Sequence, residues 1–175
     1  GGEAPPDPFK IEPVDPSMIS RFTRRCYPPW WNRDQLFGSV RSGDWDRRPH
    51  EAAPTYGGPP EDLFHADTIA ESPLYRALRA RFLDDREWTE TQFVRDVFAR
   101  LDAGVDFVWH DCQTRDDVLA RCEHLERIYR SMKREGCLSY RDRTPPRDRE
   151  GNFIDALERE IIVDIGRDGE LLLVS

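Results

Sequence analysis

Residues Glu160-Ile-Ile-Val-Asp-Ile-Gly-Arg-Asp-Gly-Glu-Leu-Leu-Leu-Val-Ser175 decide the fold class. An apolar, β-branched run is followed by a glycine-bounded turn and a second apolar run. Asp168-Gly169 at the tip is a strong short-range hairpin signal. A two-stranded ribbon is marginal in water by itself, so these strands need partners. Few other segments carry a strand pattern. The hairpin therefore reads as the opening of a sheet, and a segment that completes it is expected beyond Ser175.

Upstream of the hairpin, residues 139–157 form a charged loop and linker. Arg141, Arg143, Arg147 and Arg149 alternate there with Asp142, Asp148 and Glu150. Mixed-sign runs seldom bind polyanions, so a solvated loop is favoured over an anion grip. Three helices precede it. Thr114-Arg-Asp-Asp117 opens the longest, with Val118, Cys122, Leu125, Tyr129 and Met132 at alternating spacings of 4 and 3, and Gly136 ends it. Thr89-Glu-Thr-Gln92 reads as the capping box of a second helix through Leu101, with Phe93, Val94, Val97 and Phe98 inward and Gly104 as its stop. Ser72-Pro73 starts a third, running to about Phe82 with Leu74, Leu78 and Phe82 on one face. Leu63 and Phe64 belong to a helical turn within 62–70. Residues 36–47 suggest a short strand and turn, and 48–62 a Pro/Gly-rich loop. At the N-terminal side, Asp15-Pro16 reads as the cap and first turn of a helix carrying Met18, Ile19 and Phe22, and Pro28-Pro29 ends it. Residues 1–15 are an extended arm. The expected fold class is α+β: a mainly helical region over 16–138, then a β-hairpin over 158–175 that begins a mixed α/β domain.

Composition narrows the function classes. The chain has 175 residues, a net charge of -8 and 34% charged residues. Its mean hydropathy is -0.76. No apolar run approaches the roughly 20 residues that span a bilayer, and the N-terminus lacks the pattern of a signal peptide. Sequence-independent DNA binding needs a basic face, so the acidic balance speaks against a nucleic-acid partner. Cys26, Cys112, Cys122 and Cys137 include no CxxC pair, and without a secretory signal the expectation is reduced thiols in the cytoplasm.

Several residues carry chemistry by type. His110, Cys112, Cys122 and His124 are possible zinc ligands. Cys122 and His124, two apart on a helix, point to different sides, and Cys122 falls on the apolar stripe. Core placement is favoured and zinc is disfavoured. Asp44 and Asp46 flank Trp45 after Gly43. On an extended strand they share a face and are candidates for magnesium, with a solvated turn as the favoured reading. Trp30-Trp31 suit the plugging of a helical layer. No Walker loop, GxGxxG or Ser-His-Asp order is present.

The stretch Glu158-Arg-Glu-Ile-Ile-Val-Asp-Ile-Gly-Arg-Asp-Gly-Glu-Leu-Leu-Leu-Val-Ser175 resembles the opening hairpin of ParB-like domains, the ParB/sulfiredoxin superfamily. In those domains a strand, an Asp-Gly turn and a second strand lead into a Gly-x-His-Arg motif that starts a helix. Gly43-Asp-Trp-Asp46, the helix from Tyr75 to Phe82, and the helix through Arg121-Cys122 to Tyr129 and Gly136 are similar to a prokaryotic family with a helical region ahead of a ParB-like domain. The resemblance implies a nucleotide ligand with Mg2+, hydrolysis or phosphoryl transfer among the possible reactions, and a phosphate held at a helix N-terminus beside an arginine. Carried onto this chain it points to Arg159 and Glu160 at the hairpin's start and Arg167 and Asp168 in its turn. Two other classes compete. One is a non-enzymatic helical interaction module that forms a homodimer through the hairpin edge. The other is a DNA-associated regulator, which the acidic balance disfavours.

Overall fold

The computed structural model describes residues 14–22, 61–64, 66, 68–106, 108–139, 142, 161 and 163–173. It is mixed α+β. Among the described residues the elements run β1 (Ile19–Phe22), α1 (Glu61–Phe64), α2 (Pro73–Phe82), α3 (Gln92–Asp102), α4 (Arg115–Glu135), β2 (Val163–Ile165) and β3 (Leu171–Leu173), with short 3-10 turns between.

The helices start where side chains satisfy the first free N–H groups. Ser72 Oγ accepts from Tyr75 N–H at 3.3 Å and donates to the Phe64 carbonyl at 2.7 Å, tying α2 to α1. Thr114 and Asp117 form the capping box of α4 that the sequence announces. The start of α3 differs from the sequence reading. Thr91, not Thr89, caps it, accepting from Val94 N–H. Trp88–Glu90 form a 3-10 turn ahead of it, with its own Glu87–Glu90 capping box. Two threonines at alternate positions made the frame ambiguous, and burial of Trp88 and Thr91 settles it. Gly104 and Gly136 follow α3 and α4 with φ of +74° and +83°, a region glycine enters without a Cβ clash.

The three long helices and the turn between α3 and α4 enclose one core. Phe93, Val94 and Val97 from α3 meet Val118 and Cys122 from α4, Ala77 from α2, and Leu63 from α1. The 108–112 turn contributes Val108, Trp109 and Cys112 to the same cluster. Phe93 sits edge-on to Trp109 at 4.9 Å and to Phe64 at 5.4 Å between ring centroids. A second aromatic group brackets α2 and α4: Phe82 stacks on Tyr129 at 4.0 Å and meets Trp88 edge-on at 5.7 Å. The apolar stripe of α4 fades toward its C-terminal end, where Ile128 and Met132 are each 40% exposed.

The hairpin forms, and its third strand comes from the segment expected to be helical. Asp15 caps only a single 3-10 turn, Pro16–Met18, through Ser17 N–H at 2.8 Å. The chain then extends as β1 and pairs parallel with β3, while β2 pairs antiparallel with β3 on the other side, giving the order β1-β3-β2. Met18 is 65% exposed rather than part of a buried stripe. Pairing with β3 outweighs the weak local preference for helix in so short a run. Register places Ile19 with Leu171 and Ile165, and Phe22 with Leu173 and Val163. Residues in register share a sheet face, so one face is wholly apolar. Leu172, on the other face, is 1% exposed. β1 also lies beside the 3-10 turn Ile69–Glu71, which links the sheet to the helical body.

Candidate functional site

The hairpin turn is closed by Gly166 N–H donating to the Glu170 carbonyl at 2.8 Å and Gly169 N–H donating to the Gly166 carbonyl at 2.9 Å. Gly169 has φ of +77°. The loop is thus three residues, Arg167-Asp168-Gly169, in which the left-handed glycine follows the turn instead of sitting at its centre. Arg167 and Asp168 are both exposed. Beside the turn, Glu170 pairs with Arg21 of β1 at 3.7 Å.

The sheet has two distinct ends. Because β1 and β3 are parallel, their carboxyl ends, Phe22 and Leu173, lie side by side. β2 runs the other way and begins at that same end, with Val163 opposite Leu173. The turn that carries Arg167 and Asp168 is at the opposite, amino end, about 10 Å away across three residues of strand. In open, mostly parallel α/β sheets, ligands bind outside the carboxyl ends of the strands at a topological switch point. Of the four sequence-derived ligand residues, Arg167 and Asp168 lie in the turn at the end opposite Phe22 and Leu173. Arg159 and Glu160 lie outside the described residues, as do Asp44 and Asp46, Trp30-Trp31 and the four arginines of the charged loop.

A second feature lies in the helical body. An open depression of about 330 Å3 is lined by Leu101, Gly104, Val105, Asp106, His110, Asp111, Cys112 and Gln113. His110 holds a left-handed backbone, φ +52°, uncommon for a non-glycine residue. Partial desolvation, helped by the Arg121 guanidinium, lowers its imidazole pKa below the ordinary value, and Asp111 opposes the shift. Arg121 spans this wall, 5.5 Å above the Trp109 ring and 3.9 Å from the Asp111 carboxylate. Burial pushes the Cys112 thiol pKa up and that of Cys122 to about 12, so neither is a ready thiolate nucleophile. Cys112 and Cys122 belong to the core cluster, while His110 and His124 are exposed. Among the described residues no group of three His, Cys, Asp or Glu side chains is placed to hold a metal ion.

A polar node that sequence reasoning missed joins α2 to α4. The Glu126 carboxylate accepts from Arg81 Nε at 2.9 Å, Trp88 Nε1 at 3.1 Å and Arg130 Nη2 at 2.6 Å. Burial raises its pKa, but those hydrogen bonds and the two guanidinium charges outweigh it and hold the carboxyl below the ordinary value. On the sequence it is one charged residue among many on the polar side of a helix. Its donors make it a structural brace between α2, the Trp88 turn and α4.

No family model, curated protein or solved structure matches this chain.

Proposed function

We propose that this chain is a nucleotide-associated protein of the ParB-like kind, with its nucleoside phosphate taken at the carboxyl end of the β1/β3 pair and the helical body as a cap beside the sheet. The observation that carries the reading is the parallel pairing of β1 with β3. It turns the hairpin into a mixed sheet and gives it one end with two adjacent strand carboxyl termini, which by analogy with open α/β sheets is the end to test for a ligand. β2 starts at that end, which keeps Arg159 and Glu160, just upstream, as the residues to test. Arg167 and Asp168, in the turn at the other end, become the controls. Magnesium would arrive with the phosphates. Asp44 and Asp46 are the sequence candidates to hold it.

The test is thermal stability of the whole chain with a panel of nucleoside triphosphates and Mg2+. A ligand at ~100 times its Kd adds about 2.7 kcal/mol to stability. Arg159→Ala and Glu160→Ala are expected to abolish the nucleotide-dependent rise, and Arg167→Ala and Asp168→Ala to keep it. No rise with any nucleotide overturns the reading. A rise lost only in the turn variants moves the site to the amino end of the sheet.

A further inference from the structure

A nucleoside phosphate needs a cation at the end of the sheet that receives it. Among the described residues, the cations of the three strands and the hairpin turn are Arg21 and Arg167. Arg167 lies in the turn, at the end opposite Phe22 and Leu173. Arg21 is one residue from Phe22 and opposite Leu172, beside the carboxyl end of the β1/β3 pair. Register places it on the face of Leu172, not on the apolar face that carries Phe22 and Leu173. Its guanidinium leans toward the turn, where Arg21 Nη1 lies 3.7 Å from the Glu170 carboxylate. That separation is beyond hydrogen-bond range. An arginine that braces this molecule is held closer: Arg81 Nε is 2.9 Å from Glu126. The Arg21 side chain is 35% exposed and that of Glu170 29% exposed. An ion pair so long and so accessible to water is weak. Glu170 is fixed at the base of the turn, where its backbone carbonyl accepts from Gly166 N–H. Arg21 is thus a cation beside the proposed site whose present partner holds it loosely.

We propose that Arg21 binds the phosphates of the nucleotide, and that Glu170 competes with them for its guanidinium. This rests on the nucleotide reading above and adds to it a residue and its counter-charge. A phosphate group offers the planar guanidinium two parallel charge-assisted hydrogen bonds, where Glu170 gives a contact longer than one. No covalent bond forms or breaks in the exchange. Removing either partner abolishes the same ion pair, yet the two removals act oppositely on the ligand. Without Arg21 the phosphates lose their cation. Without the Glu170 charge the guanidinium is released to them.

The experiment is calorimetric titration of the full chain with ATP, CTP and GTP, each with Mg2+, and with inorganic tripolyphosphate as a probe without base or sugar. Circular dichroism checks the fold of each variant. Arg21→Ala is expected to weaken binding at least about tenfold, for nucleotide and tripolyphosphate alike. Glu170→Gln is expected to tighten it about twofold to fivefold. Arg21→Lys keeps the charge without the fork and falls between wild type and Arg21→Ala. Unchanged affinity in Arg21→Ala overturns the inference and leaves the nucleotide reading standing. Weaker binding in Glu170→Gln as well would make the pair a brace of the sheet, which also overturns it, and no change in Glu170→Gln overturns the competition. A wild type that binds none of the probes overturns the inference and the nucleotide reading together. Glu170→Gln and Arg21→Lys decide the matter if Arg21→Ala folds poorly.

Discussion

Val94, Val97, Val108 and Val118 of the helical body are fully shielded from solvent, whereas the sheet buries Leu172 and leaves Ile161 and Ile165 69% exposed. The body closes its core with neighbours near in sequence: α3, the following turn and α4 lie within 92–135. The sheet is assembled from β1 and a hairpin more than a hundred residues later, and among the described residues no strand pairs with the outer edge of β2. Loop closure makes such long-range pairing entropically costly, and three-residue strands return little for it. One region is self-contained, and the other depends on β1 and the distant hairpin finding each other. The part with surface to spare for a ligand or a partner is the second.

The largest expected effect is in the body. Phe93→Ala removes a ring 1% exposed that touches Phe64 and Trp109. It is expected to cost about 3–5 kcal/mol, seen as a lower denaturation midpoint. A loss under 1 kcal/mol would mean this core is not the body's main support.

Glu126→Ala comes next, at about 1–3 kcal/mol, because it removes the acceptor of Arg81 Nε and Trp88 Nε1. The same residue sets an acid limit. Its folded pKa lies below the ordinary value of 4.5, so its contribution is complete above that value and is lost as pH falls through the depressed folded pKa. In Glu126→Ala the acid limb of the stability profile should flatten. An unchanged limb would assign it to other carboxylates.

Smaller effects separate the two regions. Gly169→Ala places a Cβ at φ +77° in the hairpin turn and is expected to cost about 1–2 kcal/mol, confined to the sheet. Its readout is faster amide exchange in β2 and β3 with α3 unchanged. Thr114→Ala removes the α4 cap, at about 1 kcal/mol, and should lower the stability of the body. Equal spread of either effect over both regions would erase the distinction between them.

The same contrast explains what could be read in advance. Caps and apolar stripes are local, so α2, α4 and the hairpin were legible from Ser72-Pro73, Thr114-Arg-Asp-Asp117 and Asp168-Gly169. β1 was not. Ile19 and Phe22, three apart after a Pro at the first helical position, satisfy a helical spacing, and nothing near them signals a partner at Leu171–Leu173. Val108, Trp109 and Cys112 enter the core from an aperiodic turn, which no stripe reveals. Glu126 is told from its exposed neighbours only by the Trp88 indole and the Arg81 guanidinium, both nearly forty or more positions away. The division of the sheet into a carboxyl end and a turn end, with Arg167 and Asp168 at the latter, follows from the direction of β1 and so was equally hidden.

The most direct measurement is residue-resolved amide exchange of β1, β3 and α3 in the wild type and in Leu172→Ala, a change to a large side chain of the sheet that is 1% exposed. If β1 is a strand of the hairpin's sheet, its amides and those of β3 are protected together in the wild type. They should lose that protection together in the variant, while α3 keeps its own. Unprotected β1 amides in the wild type, or loss confined to β3, would contradict the parallel pairing on which the proposed nucleotide site rests.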